Sequence, residues 1–222
     1  AFRPYNNNMQ QWGIMRSKSP KTRVTVVDVH LTTTAAAADR ALYVKPGTDG
    51  ALALAIAHVL LTEGLWDRNF VGNFGDGANR FKSGMRVEPA TFKERWTLGL
   101  IDWWNNELKD RTPKWAAGVT TVAEKDIVTV AREFGTTRPA MALFERGPTG
   151  HFNGTYNGMC IHALNALVGS LFAEGGLMYQ MGPAYGDLPV KADDYMDAYA
   201  KSDDRKKHPR IDLAKTDAWP MA

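Results

Sequence analysis

Hydrophobic positions along the chain fall into short β-branched runs that alternate with longer helical stretches. The first run, "TRVTVVD", is closed by Asp28 and reads as a buried strand. "HLTTTAAAADRALYVKP" then reads as a loop or short helix followed by a short strand around Ala41 to Val44. Asp49 to Glu63 is apolar on nearly every face, which predicts a helix buried on nearly every face. Thr48 or Asp49 stands at its N-cap and Gly64 at its stop. "LWDRNFVGNF" predicts a short helix, residues 72–93 a glycine-rich and charged surface loop, and "LGLIDWWNNELKD" another helix. In "TPKWAAGVTTVAEKDIVTVAREFGTT", Thr112 caps one helix with Pro113 at its first position, and a second runs from about Ala123 to Phe134. "RPAMALFE" predicts a second buried strand, and "TYNGMCIHALNALVGSL" a helix leading to the Gly175-Gly176 turn.

Residues 1–20 read as an irregular N-terminal segment, and residues 178–222, dominated by proline, glycine and charge, as an extended tail. Between them, residues 21–177 alternate strands with helices. That pattern predicts an α/β fold, an open and mostly parallel sheet with helices on both faces. The chain is long enough, at 222 residues and 44% hydrophobic, to bury a substantial core.

Charge narrows the partners. The 27 basic residues exceed the 24 acidic ones by too little, and with no basic stripe, to argue for nucleic acid. Cys160 is the single cysteine, so the chain forms no intrachain disulfide and no cysteine cluster for zinc or iron–sulfur. Its apolar helical neighbours predict a buried structural thiol. The apolar run Ala51 to Leu61 is shorter than the ~20 residues a membrane span needs. No signal peptide is visible and the chain starts at Ala1, so it reads as a piece of a longer polypeptide or a processed chain.

Three places carry candidate chemistry. Asp28 stands at the carboxyl end of a strand, where open α/β sheets receive ligands and a carboxylate suits ribose hydroxyls; a turn or helix-cap acid is the equally open structural reading. Thr32, Thr33 and Thr34 offer hydroxyls to phosphate or sugar, although an ordinary capped helix start explains them as well. Pro46-Gly47-Thr48-Asp49 sets a tight turn at a helix N-terminus, ordinarily an anion site. The Asp49 carboxylate argues against simple phosphate cradling there. It can instead accept two parallel hydrogen bonds, which the ring N–H and exocyclic amine of guanine offer side by side. As a plain N-cap it needs no ligand. No G-x-G-x-x-G or Walker loop is present. His58, inside the apolar helix, reads as a core residue; His151, after the second strand, stands in the better place for function, with a structural role weighed slightly ahead of it.

Taken together, "VVDVHLTTTAAAADRALYVKPGTDGALALAIAHVLL" resembles the V-V-D-P-R-x-T-x-T-A-x-x-A-D and P-G-T-D-x-A-L patterns of the molybdopterin oxidoreductase family. "TPKWAAGVTTVAEKDIVTVAREF" and "GHFNGTYNGMCIHALNALVGSLFAEGG" are similar to later segments of the same family, so the match covers roughly residues 20–180. Val29 and His30 depart from its usual Pro and Arg. The resemblance implies a formate dehydrogenase/DMSO reductase-like domain binding one guanosine end of a bis(molybdopterin guanine dinucleotide) that carries Mo or W in the parent protein. Asp28, Thr32, Gly47, Thr48 and Asp49 would line that pocket, with Asp49 on guanine. It further implies a middle-domain fragment of a large subunit, polysulfide or thiosulfate reductase-like. The metal ligand and iron–sulfur cysteines would lie upstream, and a last cofactor domain downstream. An iron–sulfur partner subunit, possible membrane quinone-binding subunit and periplasmic placement follow from the resemblance alone. So does the alternative, a metal-free molybdopterin-like subunit of a menaquinone reductase complex.

Overall fold

The computed structural model describes residues 6–18 and 22–178. β1 (Thr25–Asp28) pairs in parallel with β2 (Arg40–Tyr43), Thr25 opposite Arg40 and Asp28 opposite Tyr43. The crossover between them holds α2 (Thr33–Ala37). The α/β class and the parallel pairing agree with the sequence, but the described parallel sheet has two strands rather than many. Residues 1–20 were expected to be irregular; instead α1 (Asn6–Ser17) is helical. Gln, Met and Trp at its centre are competent helix formers, and no proline interrupts before Pro20. The Arg16 guanidinium forks onto the Asp39 carboxylate, with its second nitrogen at 2.9 Å.

The centre of the fold is α3 (Asp49–Thr62), in which every residue from Leu52 to Leu61 is buried. Leucine and alanine fill it, the best apolar helix formers, so propensity and burial agree. It ends in a Schellman arrangement: Leu65 N–H donates to Leu60 C=O at 2.7 Å and Gly64 N–H to Leu61 C=O at 3.2 Å. Gly64 supplies the positive φ of 73° that this stop requires. α4 (Arg68–Val71) follows, started by Asp67, whose carboxylate accepts from Phe70 N–H at 2.8 Å.

Residues 72–93 are not a plain surface loop. β3 (Gly72–Phe74) and β4 (Phe92–Glu94) form an antiparallel pair, and the chain between them folds inward. Phe81 and Val87 are buried there, and Phe74, Phe81, Phe92, Trp66 and Trp104 form one aromatic cluster with ring centroids 4.9–6.4 Å apart. Five aromatic side chains outweigh the local glycine and charge that made the segment read as loop. The Asn105 carboxamide holds both backbone groups of Val87, at 2.7 and 2.8 Å, where a neighbouring strand would otherwise stand.

Four more helices complete the shell: α5 (Leu100–Asn106), α6 (Pro113–Thr120), α7 (Glu124–Thr136) and, beyond the short α8 (Arg146–Thr149), α9 (Gly154–Leu167). Thr112 caps α6 as expected, accepting from Trp115 N–H at 3.2 Å. α6, α7 and α9 pack on α3 from different sides. Residues 138–145, expected as a second buried strand, pair with no strand among the described residues; Met141, Leu143 and Phe144 are exposed. The residues assigned to the C-terminal tail lie outside the described residues, apart from Met178.

Candidate functional site

β1 delivers Asp28 to the carboxyl end of the parallel pair, and the chain turns at once into α2. Asp28 Oδ1 accepts from Val29 N–H at 2.8 Å and Oδ2 from the Thr32 hydroxyl at 3.2 Å. The Thr32 oxygen in turn accepts from Ala35 N–H at 3.2 Å, capping α2. Thr32 is thus both helix cap and anchor of the acid. Each Asp28 oxygen still has a lone pair to offer. Asp39, in register with the family pattern, does something else: its Oδ2 accepts from Val24 N–H at 2.9 Å and pairs with Arg16, clasping the entry to β1.

The second part of the site is the turn into α3. Gly47 takes a φ of 80°, a region that favours glycine. The Thr48 N–H and hydroxyl both return to the Lys45 carbonyl, at 3.1 and 2.6 Å, so Thr48 closes the turn rather than capping with its side chain. Asp49 begins the helix half-buried. Burial pushes its carboxyl above the usual range; its own backbone N–H and His151 oppose this, and the Asp28 charge adds to it. Asp28 and Asp49, separate motifs in the sequence, therefore share one electrostatic neighbourhood. All five expected residues, Asp28, Thr32, Gly47, Thr48 and Asp49, lie on these two adjoining turns.

Two residues join them that the sequence did not single out for the site. The ring of His151 stands 3.9–4.0 Å from where a Gly47 side chain would begin. Asn157, buried in α9, donates to the Pro148 carbonyl at 3.1 Å and to the Gly47 carbonyl at 3.5 Å, tying the short α8 to the Gly47 turn. This needs a close approach of α3 and α9, and Gly50 permits it: a Cβ there would lie 3.2 Å from Asn157 Cα and still nearer its carboxamide. Only the G-H-F-N-G spacing hinted at this, since Asn157 sits over a hundred residues from Gly47. Among the described residues no group of three or more His, Cys, Asp or Glu could hold a metal ion.

His58 and Cys160 stand apart as expected. His58 is satisfied on both ring nitrogens, by Leu108 C=O and the Ser83 hydroxyl, both at 2.7 Å. Cys160 is buried, its thiol pushed up to about 12 chiefly by desolvation.

Two acids and a glycine turn stand at the carboxyl end of a parallel pair, beside a long helix N-terminus, the place where open α/β domains in general receive ligands. The chain is 47% identical over 198 residues, 89% of its length, to the molybdopterin-containing subunit of arsenate respiratory reductase from Chrysiogenes arsenatis. It is 40% identical over 200 residues to the same subunit from Shewanella sp. (strain ANA-3), and 32% over 162 residues to dimethyl sulfoxide reductase DmsA of Escherichia coli (strain K12). The chain belongs to the molybdopterin oxidoreductase family. It spans 23% of the length of either arsenate reductase subunit. Acetylene hydratase from Pelobacter acetylenicus shares the fold, with a TM-score of 0.58 and 23% identity over 77% of this chain and 20% of its own. No protein-family model matches the chain.

Proposed function

We propose that the chain is the domain holding a guanosine end of bis(molybdopterin guanine dinucleotide) in the large subunit of a respiratory reductase acting on an oxyanion such as arsenate. The observation that carries this is the 47% identity to a respiratory arsenate reductase subunit across 89% of the chain. The donor set supports it. A half-buried carboxylate that meets its own backbone N–H and no other side chain among the described residues suits the paired N–H donors of guanine, and Asp28 with its spare lone pairs suits ribose hydroxyls. Two carboxylates in one neighbourhood disfavour a phosphate at the same spot.

The cofactor supplies two-electron oxygen-atom transfer; the residues of this chain bind and orient its nucleotide end. Asp49 accepts from the base, Asp28 from the ribose, Thr32 fixes the Asp28 rotamer, and Gly47-Thr48 shapes the turn. Mo or W, an iron–sulfur partner subunit and a periplasmic setting belong to this proposal. The metal-free menaquinone reductase reading is not favoured, because the relatives reported above are named as molybdopterin-containing arsenate reductase subunits and a dimethyl sulfoxide reductase.

The test is metal analysis of the parent subunit from its native source, alongside arsenate-dependent oxidation of a reduced viologen. Stoichiometric Mo or W with turnover is the expected result. An intact complex without either metal overturns the proposal. Metal with turnover of dimethyl sulfoxide but not arsenate overturns the substrate assignment alone.

A further inference from the structure

At the end of α3 opposite Asp49, three segments converge on an open cleft. Asp67 N–H donates to the Leu167 carbonyl at 2.7 Å, which sets the start of α4 against the end of α9. Trp96 N–H donates to the Phe70 carbonyl at 3.0 Å, which brings the residues after β4 onto α4. The third segment is a loop closed by Phe172 N–H on Leu177 C=O and Leu177 N–H on Ser170 C=O, at 2.9 and 2.8 Å. Between the three lies a cleft of about 290 Å³. Phe70, Trp96, Leu171 and Phe172 wall it, with Asp67 and Asn69 as the polar side chains among the described residues.

Three features set this cleft apart from an ordinary surface hollow. Trp96 and Phe172 are 72% and 65% exposed, although large aromatics are mostly buried in folded chains. Phe172 also takes a φ of 59°, a strained conformation for a bulky residue and of the kind held at ligand sites. At Gly169 a Cβ would lie 2.7–2.9 Å from the Asp67 side chain, so only glycine leaves room for that carboxylate beside the cleft. Asp67 Oδ1 accepts from Phe70 N–H, and Oδ2 takes no hydrogen bond among the described residues. Two cations of the same region are engaged elsewhere. Arg138, which feels the Asp67 charge, donates to the Val168 and Leu65 carbonyls. The Arg68 guanidinium lies 4.9 Å over the Trp66 ring.

Aromatic faces attract cations through their quadrupole, and a carboxylate beside them adds a full opposite charge. A guanidinium or primary ammonium brings N–H donors that apolar walls strip of water. One open carboxylate oxygen and one carboxamide satisfy few of these. A quaternary ammonium has no N–H and needs only ring faces and charge. The volume lies at the lower edge of ligand pockets, about 300–1,000 Å³, and so suits a head group rather than a large molecule. We propose that the cleft between Trp96 and Phe172 binds a small quaternary ammonium group, with Asp67 as its counter-charge. The site is separate from the Asp28–Asp49 turns and does not depend on what they bind.

Calorimetry of the full parent subunit with choline tests it, beside the neutral carbon isostere of choline, which has the same shape without the charge. Choline is expected to bind and the isostere to bind far more weakly. Trp96→Ala should weaken choline about five- to thirtyfold, the range of a cation–π contact. Asp67→Asn should weaken it as well, while asparagine still caps α4 and keeps the fold. Phe172→Gly removes a ring but relieves the backbone, so choline binding should fall with no loss of Tm. A wild-type parent that binds no choline overturns the inference, and so does one in which other parts of the subunit cover Trp96. Equal binding of the neutral isostere, or tighter binding of methylguanidinium, also overturns it. Capture of the subunit by phosphatidylcholine vesicles, lost in Trp96→Ala, assigns the group to a lipid; binding of free choline alone assigns it to a solute. A parent without Mo or W that still binds choline sinks the proposed function and leaves this inference standing.

Discussion

Gly50→Ala probes the joint on which the site geometry depends. The added methyl would overlap the Asn157 carboxamide oxygen and lie 3.1 Å from its Cγ and 3.2 Å from its Cα. Asn157 is buried in α9, so relief requires either helix displacement or rotation of the carboxamide away from the Pro148 and Gly47 carbonyls. Overpacking of this kind costs about 1–3 kcal/mol. A lost hydrogen bond adds about 1 kcal/mol, and the better helix propensity of alanine returns at most ~1 kcal/mol. The net expectation is a destabilisation of about 2 kcal/mol, read as a fall in Tm of about 4–8 °C. Chemical unfolding of the chain measures it, in the wild type and in an Asn157→Ala background. Removing the carboxamide removes the worst overlap, so Gly50→Ala should cost less there, with a coupling of about 1 kcal/mol. Equal cost in both backgrounds, or a stabilised single variant, would refute the argument that this glycine exists to admit Asn157.

Other expectations follow from single side chains. Asp49→Ala should abolish preference for GDP over ADP in calorimetry while Asp49→Asn keeps part of it, and equal wild-type affinity for the two nucleotides removes the guanine assignment. Because burial raises the Asp49 pKa, that preference should fade on acidification at a pH above the ordinary aspartate value, as the acceptor is protonated. Burial lowers the His58 pKa, so the unfolded chain takes up a proton that the folded one resists. Stability should therefore be complete above the ordinary histidine value of about 6.5 and fall as pH drops toward the lowered folded value; urea midpoints that stay flat across this window contradict it. Burial pushes the Cys160 thiol up to about 12, so the folded chain holds it protonated at pH 8. Iodoacetamide should label it only after denaturation, and rapid labelling of the native chain would show the thiol is accessible.

Much of the helical framework could be read in advance, because α3 carries an all-apolar run with a glycine stop at Gly64 and α6 a Thr-Pro start. The five candidate site residues were likewise adjacent to recognisable turns. What could not be read depended on partners distant in sequence. The segment 72–93 looked polar, yet Phe81 and Val87 fold inward onto Trp66 and Trp104. Residues 138–145 had a strand's composition and lack a strand's neighbour among the described residues. His151 and Asn157 became visible at the site only once α9 was laid against α3, which no local pattern encodes.

The burial of α3 by α9 also sets an order of events during synthesis. About ninety residues separate the end of α3 at Thr62 from the start of α9 at Gly154, which at ~5–20 residues per second is roughly 5–20 s of translation. Through that interval a helix apolar on nearly every face leaves the ribosome before the last of the three helices that cover it has been made. The nascent chain thus presents one sticky face that only late sequence can hide, and a stall before α9 would leave that face open to chaperones or to aggregation.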